Sequence, residues 1–342
     1  MKDGRTVYRS VKVVVLEAKH KAFRTAMAWQ IIHIEGSKRM KSAKNKGKPT
    51  SFMEFAEKYV TEEACREKVF EARWPEGFVC PKCGGRKCCF ITNRNAYQCN
   101  KCKHRTTPKV GTLMQDSQLP YKTWLWAIYL VASDKRGISA MALMRQLHVG
   151  YKTAWYLLHR IREAMGNRDE KYLLEGIVEF DDSYFGGPGT GGKRGRGTSK
   201  TKVLVAVSKD NHGKPKFLKM RVVPNLKGPT AGKFARAAIA EGSTVETDAA
   251  RSYPKPLSEK YSHNWEVFDA DKEMLAWLHT IISNAKACIQ GTYHGIDEKY
   301  LQRYLDEFNY RFNRRFLQSS LFDRLLFAVT DAPPLGLDAL KG

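Results

Sequence analysis

The sequence predicts an α/β multidomain chain: a short hairpin stapled by cysteines, a helical segment, and a larger domain built on a mixed sheet. Three observations predict it. Two close cysteine pairs, Cys80/Cys83 and Cys99/Cys102, flank strand-like residues. Apolar residues between 119 and 166 recur at helical intervals and read as three helices. From residue 174 to 270, strand-like runs alternate with turn signals and short helical stretches, and 271–316 returns to helical spacing.

Length and charge bound the rest. A chain of 342 residues allows two or three domains, and 42% hydrophobic residues allow real cores. Lys and Arg number 59 against 35 Asp and Glu, a formal charge of +24. Such a surplus draws a polyanion, of which nucleic acid is the commonest; an anionic membrane surface or a ribosomal location would explain charge alone equally well. No apolar run approaches the roughly 20 residues of a membrane span. The apolar stretch Val13–Leu16 is broken at once by Glu17 and Lys19, so no signal peptide is read. A cytoplasmic protein with reduced thiols is expected, and its cysteines then point to metal rather than disulfides.

The organisation reads as five segments. Residues 1–50 carry 13 Lys/Arg against 3 acids and read as a basic, disordered extension, with Met40 as an alternative start. Residues 51–112 hold a helix and the cysteine cluster, 113–170 the helical segment, 171–330 the mixed-sheet domain, and 331–342 a tail rich in Pro and Gly. The first helix is capped by Thr61, carries Glu62 and Glu63 at its positive end, and stops at Trp74-Pro75.

Cys80-Pro81-Lys82-Cys83 and Cys99-Asn100-Lys101-Cys102 are two C-x2-C turns with 15 residues between them. A two-residue spacing aims both sulfurs at one tetrahedral ion, and the interval matches a four-thiolate zinc site. Phe90-Ile91-Thr92 and Ala96-Tyr97-Gln98, joined by Asn93–Asn95, supply the hairpin of a zinc ribbon. Four thiolates leave no position for water, so this zinc is structural. Cys65, Cys88, Cys89 and Cys288 read as ordinary free thiols.

Ser139 caps a helix Ala140–Leu147, with Ile138 and Leu143 at staple spacing. His148-Val149-Gly150 turns the chain into a second helix from Tyr151. Its apolar side is Ala154, Trp155, Leu158, Ile161 and Met165, leaving Lys152, His159, Arg160 and Arg162 for other faces. Helix, three-residue turn with Gly, helix is the helix-turn-helix pattern, which would put Tyr151, Lys152 and Thr153 against DNA.

Ile177–Asp182 reads as a strand running into acids. The segment from Gly186 to Thr201 follows, with seven glycines and the cations Lys193, Arg194, Arg196 and Lys200, a DNA-facing loop by composition. Val203–Val207 and Phe217–Val223 read as strands about a turn at Asn211-His212-Gly213. Thr244–Asp248 is a further strand ending in an acid. Asp181 and Asp248, with 66 residues between them, could meet on adjacent strands and hold magnesium.

The blocks Glu179–Gly187, Thr247–Tyr253, Gly291–Ile296, Tyr304–Phe308 and Arg311–Arg315 resemble bacterial insertion-sequence transposases of the ISXO-like group. Its members carry a zinc ribbon before a ribonuclease-H-like DDE domain, and the resemblance spans roughly residues 51–330. It implies magnesium-dependent DNA strand cleavage and transfer at the element's terminal repeats and a target duplex, by a homodimer or larger assembly on DNA. It makes Asp181 the first catalytic carboxylate and Asp248 the second, with Asp182 secondary where the family has Glu. Together with a third residue they would hold two divalent ions roughly 4 Å apart.

The third position departs from the pattern. The acid should lie seven residues before a phosphate-holding lysine, on a helix over Glu273–Ile289. Counting back from Lys286 gives His279, on the same helix face. Asn284 has usual spacing from Asp248 but lies about 200° from Lys286 around the helix. Both stand open here. An imidazole tilts the site from magnesium toward manganese, and an Asn loses a charge. The rival readings are a zinc-ribbon and helix-turn-helix regulator without catalysis, an inactive transposase relic, and a nuclease of the same fold.

Overall fold

The computed structural model describes residues 49–186, 200–248, 253, 257–266 and 275–341. The basic extension up to residue 48 and Lys193, Arg194 and Arg196 lie outside the described residues.

The N-terminal half is helical around a cysteine-rich hairpin. Helix α1 (Phe52–Lys58) opens on a full capping box: Ser51 Oγ accepts Glu54 N–H, and Glu54 accepts the Ser51 N–H. Helix α2 (Glu62–Arg73) is capped by Thr61 and ends at Trp74. Its Glu62 then performs a second task, accepting the N–H groups of Tyr121 and Lys122 at 2.6 and 2.9 Å. Those are the first residues of α3 (Tyr121–Ser133), whose own N-cap, Pro120, has no side chain to offer.

Helices α4 (Ala140–Leu147) and α5 (Tyr151–Glu170) follow, with His148 left-handed at φ 50° in the turn between them. Ser139 caps α4 by accepting the Ala142 N–H at 3.2 Å. Trp124, Leu125, Ile128, Leu143, Leu157, Leu158 and Ile161 form the core of this layer. The late helix α9 (Leu321–Asp331) joins it, contributing Leu325, Leu326 and Val329.

Helix α5 is buried on more sides than its apolar spacing predicts. His159, Arg160 and Arg162, read as facing elsewhere than the core, are all buried. For His159 and Arg162 the reason is α8 (Leu301–Asn313), which packs against α5. Arg160 instead donates to the carbonyls of Leu113 and Gln115 at 3.3 and 3.1 Å. Arg162 pairs with Glu307 of α8 at 2.8 Å, both nearly sealed from solvent. A Cβ on Gly166 would stand 2.7 Å from Asp306 Oδ2, so this helix crossing needs glycine.

The second half is a mixed sheet in the order β6 (Pro215–Val223), β5 (Thr201–Lys209), β4 (Ile177–Phe185), β7 (Thr244–Asp248), β8 (Ser262–Glu266). β4, β5 and β6 are antiparallel neighbours; β7 and β8 run parallel to β4. Three antiparallel strands followed by two parallel ones on the far side of the first is the ribonuclease-H-like arrangement.

Alternation sends Val178 and Phe180 toward α6 (Gly228–Ala238). Phe185, Val203, Val205 and Val207 pack toward α7 (Ala276–Tyr293) and α8. β4 does not end at its acids as the sequence suggests; pairing with β5 carries it to Phe185, opposite Thr201. The short helix α10 (Leu337–Lys341) closes the described chain.

Candidate functional site

The cysteine pairs close first. Strands β1 (Cys88–Ile91) and β2 (Ala96–Cys99) form the expected hairpin, and β3 (Arg105–Thr106) adds a short third strand. Each C-x2-C turn ends in a left-handed residue, Gly84 at φ 68° and Lys103 at φ 60°. Gly84 N–H bonds back to Cys80 O, and Lys103 N–H to Cys99 O. The ligand atoms of Cys80, Cys83, Cys99 and Cys102 all lie within 4.8 Å of one another.

Sγ–Sγ separations are 3.6 Å for Cys80–Cys102 and 3.7 Å for Cys83–Cys99. Sulfurs at 2.3 Å from a tetrahedral zinc stand roughly 3.8 Å apart, so the set fits zinc as it is. Gly85 lies against the cluster, and a Cβ there would be 3.0 Å from the Cys99 sulfur. With all four positions taken by thiolates, the zinc is structural.

At the helix-turn-helix, Tyr151 and Lys152 are exposed and Thr153 half-buried in the first turn of α5, with the helix N-terminus turned outward. That turn has no side-chain cap, which leaves its N–H groups to solvent or a phosphate.

The carboxylate face is made by register. In the parallel pair, Ile177 faces Thr244, Val178 faces Val245 and Glu179 faces Glu246. Asp181 and Asp248 each lie two residues further along, so they extend at one level from the same face of adjacent strands. That face is covered by α7, and His279 of α7 meets it: its Nε2 is 3.5 Å from Asp181 Oδ2. The hydrogen bond to Asp181 raises the His279 pKa above its ordinary value, and the charges of Glu179 and Asp248 add to the effect.

Lys286, two turns on from His279, lies along the rim with its ammonium 5.5 Å from the Phe185 ring centroid. Partial burial and the nearby Lys200 lower its pKa. Asn284 is exposed on the other flank of α7, across the buried line of Leu278, Ile281 and Ala285. Among the described residues, Asp181, Asp248 and His279 do not form a cluster as close as the cysteines. Two carboxylates and one imidazole remain a donor set suited to divalent cations, with the nitrogen favouring manganese over magnesium.

Asp182 points the other way. Even-numbered β4 residues face α6, and Asp182 Oδ1 accepts the Tyr253 hydroxyl at 2.7 Å. Tyr253 is fully buried against Phe180, their ring centroids 5.2 Å apart. Asp182 therefore ties Tyr253 to β4.

Sequence reasoning also passed over Glu179, Glu246 and Lys209. Lys209 Nζ lies 2.6 Å from Glu246 and 3.5 Å from Glu179, bridging the strands one step below the aspartates. The available signal was the two-residue spacing, Glu179/Asp181 and Glu246/Asp248, which puts each pair on one strand face.

An acidic level on a ribonuclease-H-like sheet, behind a zinc ribbon and a helix-turn-helix, is the build of a DNA transposase. Residues 60–105 match the family model of the transposase zinc-ribbon domain, and residues 173–313 that of the ISXO2-like transposase domain. The chain belongs to the insertion-sequence transposases that join these two domains.

It is 25% identical over 129 residues to an uncharacterized protein in transposable element ISH50 of Halobacterium salinarum, a match covering 37% of this chain. The chain spans 42% of that relative's length. Among solved structures, the Mos1 mariner paired-end complex with Mn gives 12% identity and a TM-score of 0.22, covering 60% of this chain and 77% of that one. The Mos1 transposase paired-end complex with left transposon end gives 11% and 0.18, covering 58% and 79%. Likeness at those scores says nothing further about this chain. Among the described residues, no helix is long and apolar enough to cross a membrane.

Proposed function

We propose that this transposase cleaves DNA at the ends of its element and joins the freed 3′ ends to a target duplex, with Asp181, Asp248 and His279 as the reacting face. The observation that carries the reading is the common level of Asp181 and Asp248 on parallel neighbours, with His279 at 3.5 Å from the first. Divalent ions bound there would supply charge neutralisation at the phosphodiester and activation of the attacking hydroxyl.

The chain's own residues do the rest. Asp181 and Asp248 provide hard oxygen donors on rigid strands. His279 provides a nitrogen donor from a helix fixed against the same sheet face. Lys286 stands on the same side of α7, where an ammonium meets a DNA phosphate; Asn284 faces away and is given no part. Asp182 serves by holding Tyr253 to β4 rather than by facing the reaction.

In this reading the zinc ribbon and the first turn of α5, with Tyr151, Lys152 and Thr153, select the terminal repeats. The cations Lys193, Arg194 and Arg196 contact the DNA backbone. Two copies bring the two ends together, and the protein works on DNA in the bacterial cytoplasm, at the nucleoid. The segments 51–112, 113–170 and 171–330 serve as recognition, recognition and catalytic parts, flanked by the extension 1–50 and the tail 331–342.

The test is strand joining. Pre-cut element-end duplexes are incubated with supercoiled target and magnesium or manganese, and end-to-target products are counted. Covalent joining supports the transposase reading, with manganese giving the greater yield. Cutting of uncut ends without joining would make the protein a nuclease, and tight end binding without either reaction a regulator or an inactive relic.

A further inference from the structure

We infer that Glu179 is a positioning residue, a carboxylate on β4 that caps the start of α7 and thereby sets His279 against Asp181. The inference rests on the proposed role of His279 for its consequence in catalysis, but the capping itself stands on geometry alone.

Helix α7 cannot secure its own N-terminus. Its N-cap is Leu275, left-handed at φ 52°, with no side chain able to accept a hydrogen bond. The first turn of a helix carries N–H groups without intrahelical partners, and a Ser, Thr, Asp or Asn usually accepts one of them at the second or third helical residue. Here the third helical residue is Leu278, buried, and its N–H is taken by Glu179 Oε2 at 2.9 Å. The acceptor comes from 99 residues earlier in the chain. A carboxylate at this place also meets the positive end of the helix dipole.

The second oxygen of Glu179 has a different partner. Oε1 faces Lys209 Nζ at 3.5 Å, and the same ammonium holds Glu246 at 2.6 Å. Both glutamates stand two residues before the aspartates on the same strand face. The sheet thus carries two acidic levels: a lower one, Glu179 and Glu246, bridged by Lys209 and tied to α7, and an upper one of Asp181 and Asp248, which His279 meets.

Because His279 is the next residue after Leu278, the bond from Glu179 fixes the helix one residue from the imidazole. Asp181, which His279 meets, is two residues from Glu179 on the same strand. One strand therefore carries both a reacting carboxylate and the anchor that brings the third group to it. Displacements of about 1 Å at such a site cost on the order of 100-fold in rate.

The experiment compares Glu179→Ala and Glu179→Gln with the full-length wild type, each checked for bound zinc and for far-UV ellipticity. Gln retains an acceptor for Leu278 N–H and lacks only the charge. Amide exchange of Leu278 is read first, then element-end binding, then cleavage at saturating DNA.

The expected result is exchange at Leu278 at least about tenfold faster in Glu179→Ala, with exchange in α6 unchanged. End affinity should stay within about twofold, while cleavage at saturation falls about 100-fold. Glu179→Gln should restore slow exchange and most of the cleavage. Unchanged exchange in the Ala variant overturns the capping. Faster exchange with full cleavage overturns the positioning. A Gln variant that behaves like Ala overturns it too, since the charge opposite Lys209 would then be what matters. Should the wild type itself not cleave, the proposed function fails separately. The His279 ring resonance, displaced in Ala and restored in Gln, then decides the positioning: if it does not move in Ala, Glu179 does not place the ring.

Discussion

The zinc ribbon and the carboxylate face are both candidate metal centres, yet they are assembled by opposite means. In the ribbon each pair of sulfurs comes from one tight turn, and a hairpin with Ile91 opposite Ala96 brings the two turns together. The carboxylate face draws Asp181 from β4, Asp248 from β7 and His279 from α7, and its geometry exists only while the parallel register and the seat of α7 hold. A site closed by near neighbours in sequence depends on its ion; a site closed by register depends on the whole sheet. Perturbations should separate the two along that line.

The largest separation should come from zinc removal. A four-thiolate ribbon this small has little core of its own, its buried cluster being Phe78, Cys80 and Cys99. Stripping the ion should abolish protection of amides between Cys80 and Thr106 and eliminate specific end binding, while the thermal transition of the sheet domain survives. Ribbon amides that stay protected after complete zinc loss would break the comparison.

Next in size is Glu307→Ala. Glu307 accepts from Arg162 at 2.8 Å and from Arg311 at 2.7 Å, joining the helix-turn-helix to α8. Breaking a buried pair by removing one partner costs about 3–5 kcal/mol, measurable by urea unfolding. Burial alone would raise the Glu307 pKa, but Arg162 and Arg311 hold it down at about 2. Its stabilisation is therefore complete above the ordinary carboxylate range and is lost as pH falls toward 2.

The neighbouring Asp306 has the opposite sign: burial pushes its pKa up to about 7. Stability is lost as pH rises from about 4 through 7, because the folded state favours the protonated acid. Asp306→Asn should raise the melting temperature at pH 8 and leave it nearly unchanged at pH 4. Equal shifts at both values would contradict this account.

A sharper and smaller contrast lies within α7. His279→Ala should lower cleavage at saturating DNA about 100-fold, whereas Asn284→Ala should change it less than about twofold. Equal losses would return Asn284 to the site.

What was legible in the sequence follows the same division. The cysteine spacing, the Thr61 and Ser139 caps and the turn at His148–Gly150 are short-range features, and each stands in the structure where its residues indicate. The strands carrying Asp181 and Asp248 were legible, but not that Asp182 turns to the opposite face and bonds Tyr253, which depends on where β4 ends. Periodicity left Arg162 and His159 off the apolar side of α5 because it cannot foresee α8 packing there. Nor could it show that Glu62 and Glu179 cap helices distant in sequence, since Pro120 and Leu275 give no sign of where their acceptors come from.

The central claim is that the level formed by Asp181 and Asp248 carries out strand chemistry while recognition resides elsewhere. It is tested most directly by cutting of an element-end duplex with manganese, comparing wild type with Asp248→Ala, alongside end affinity for both. The account predicts metal-dependent cleavage abolished in Asp248→Ala, with end affinity within about twofold of wild type. Cleavage by Asp248→Ala at the wild-type rate would contradict it.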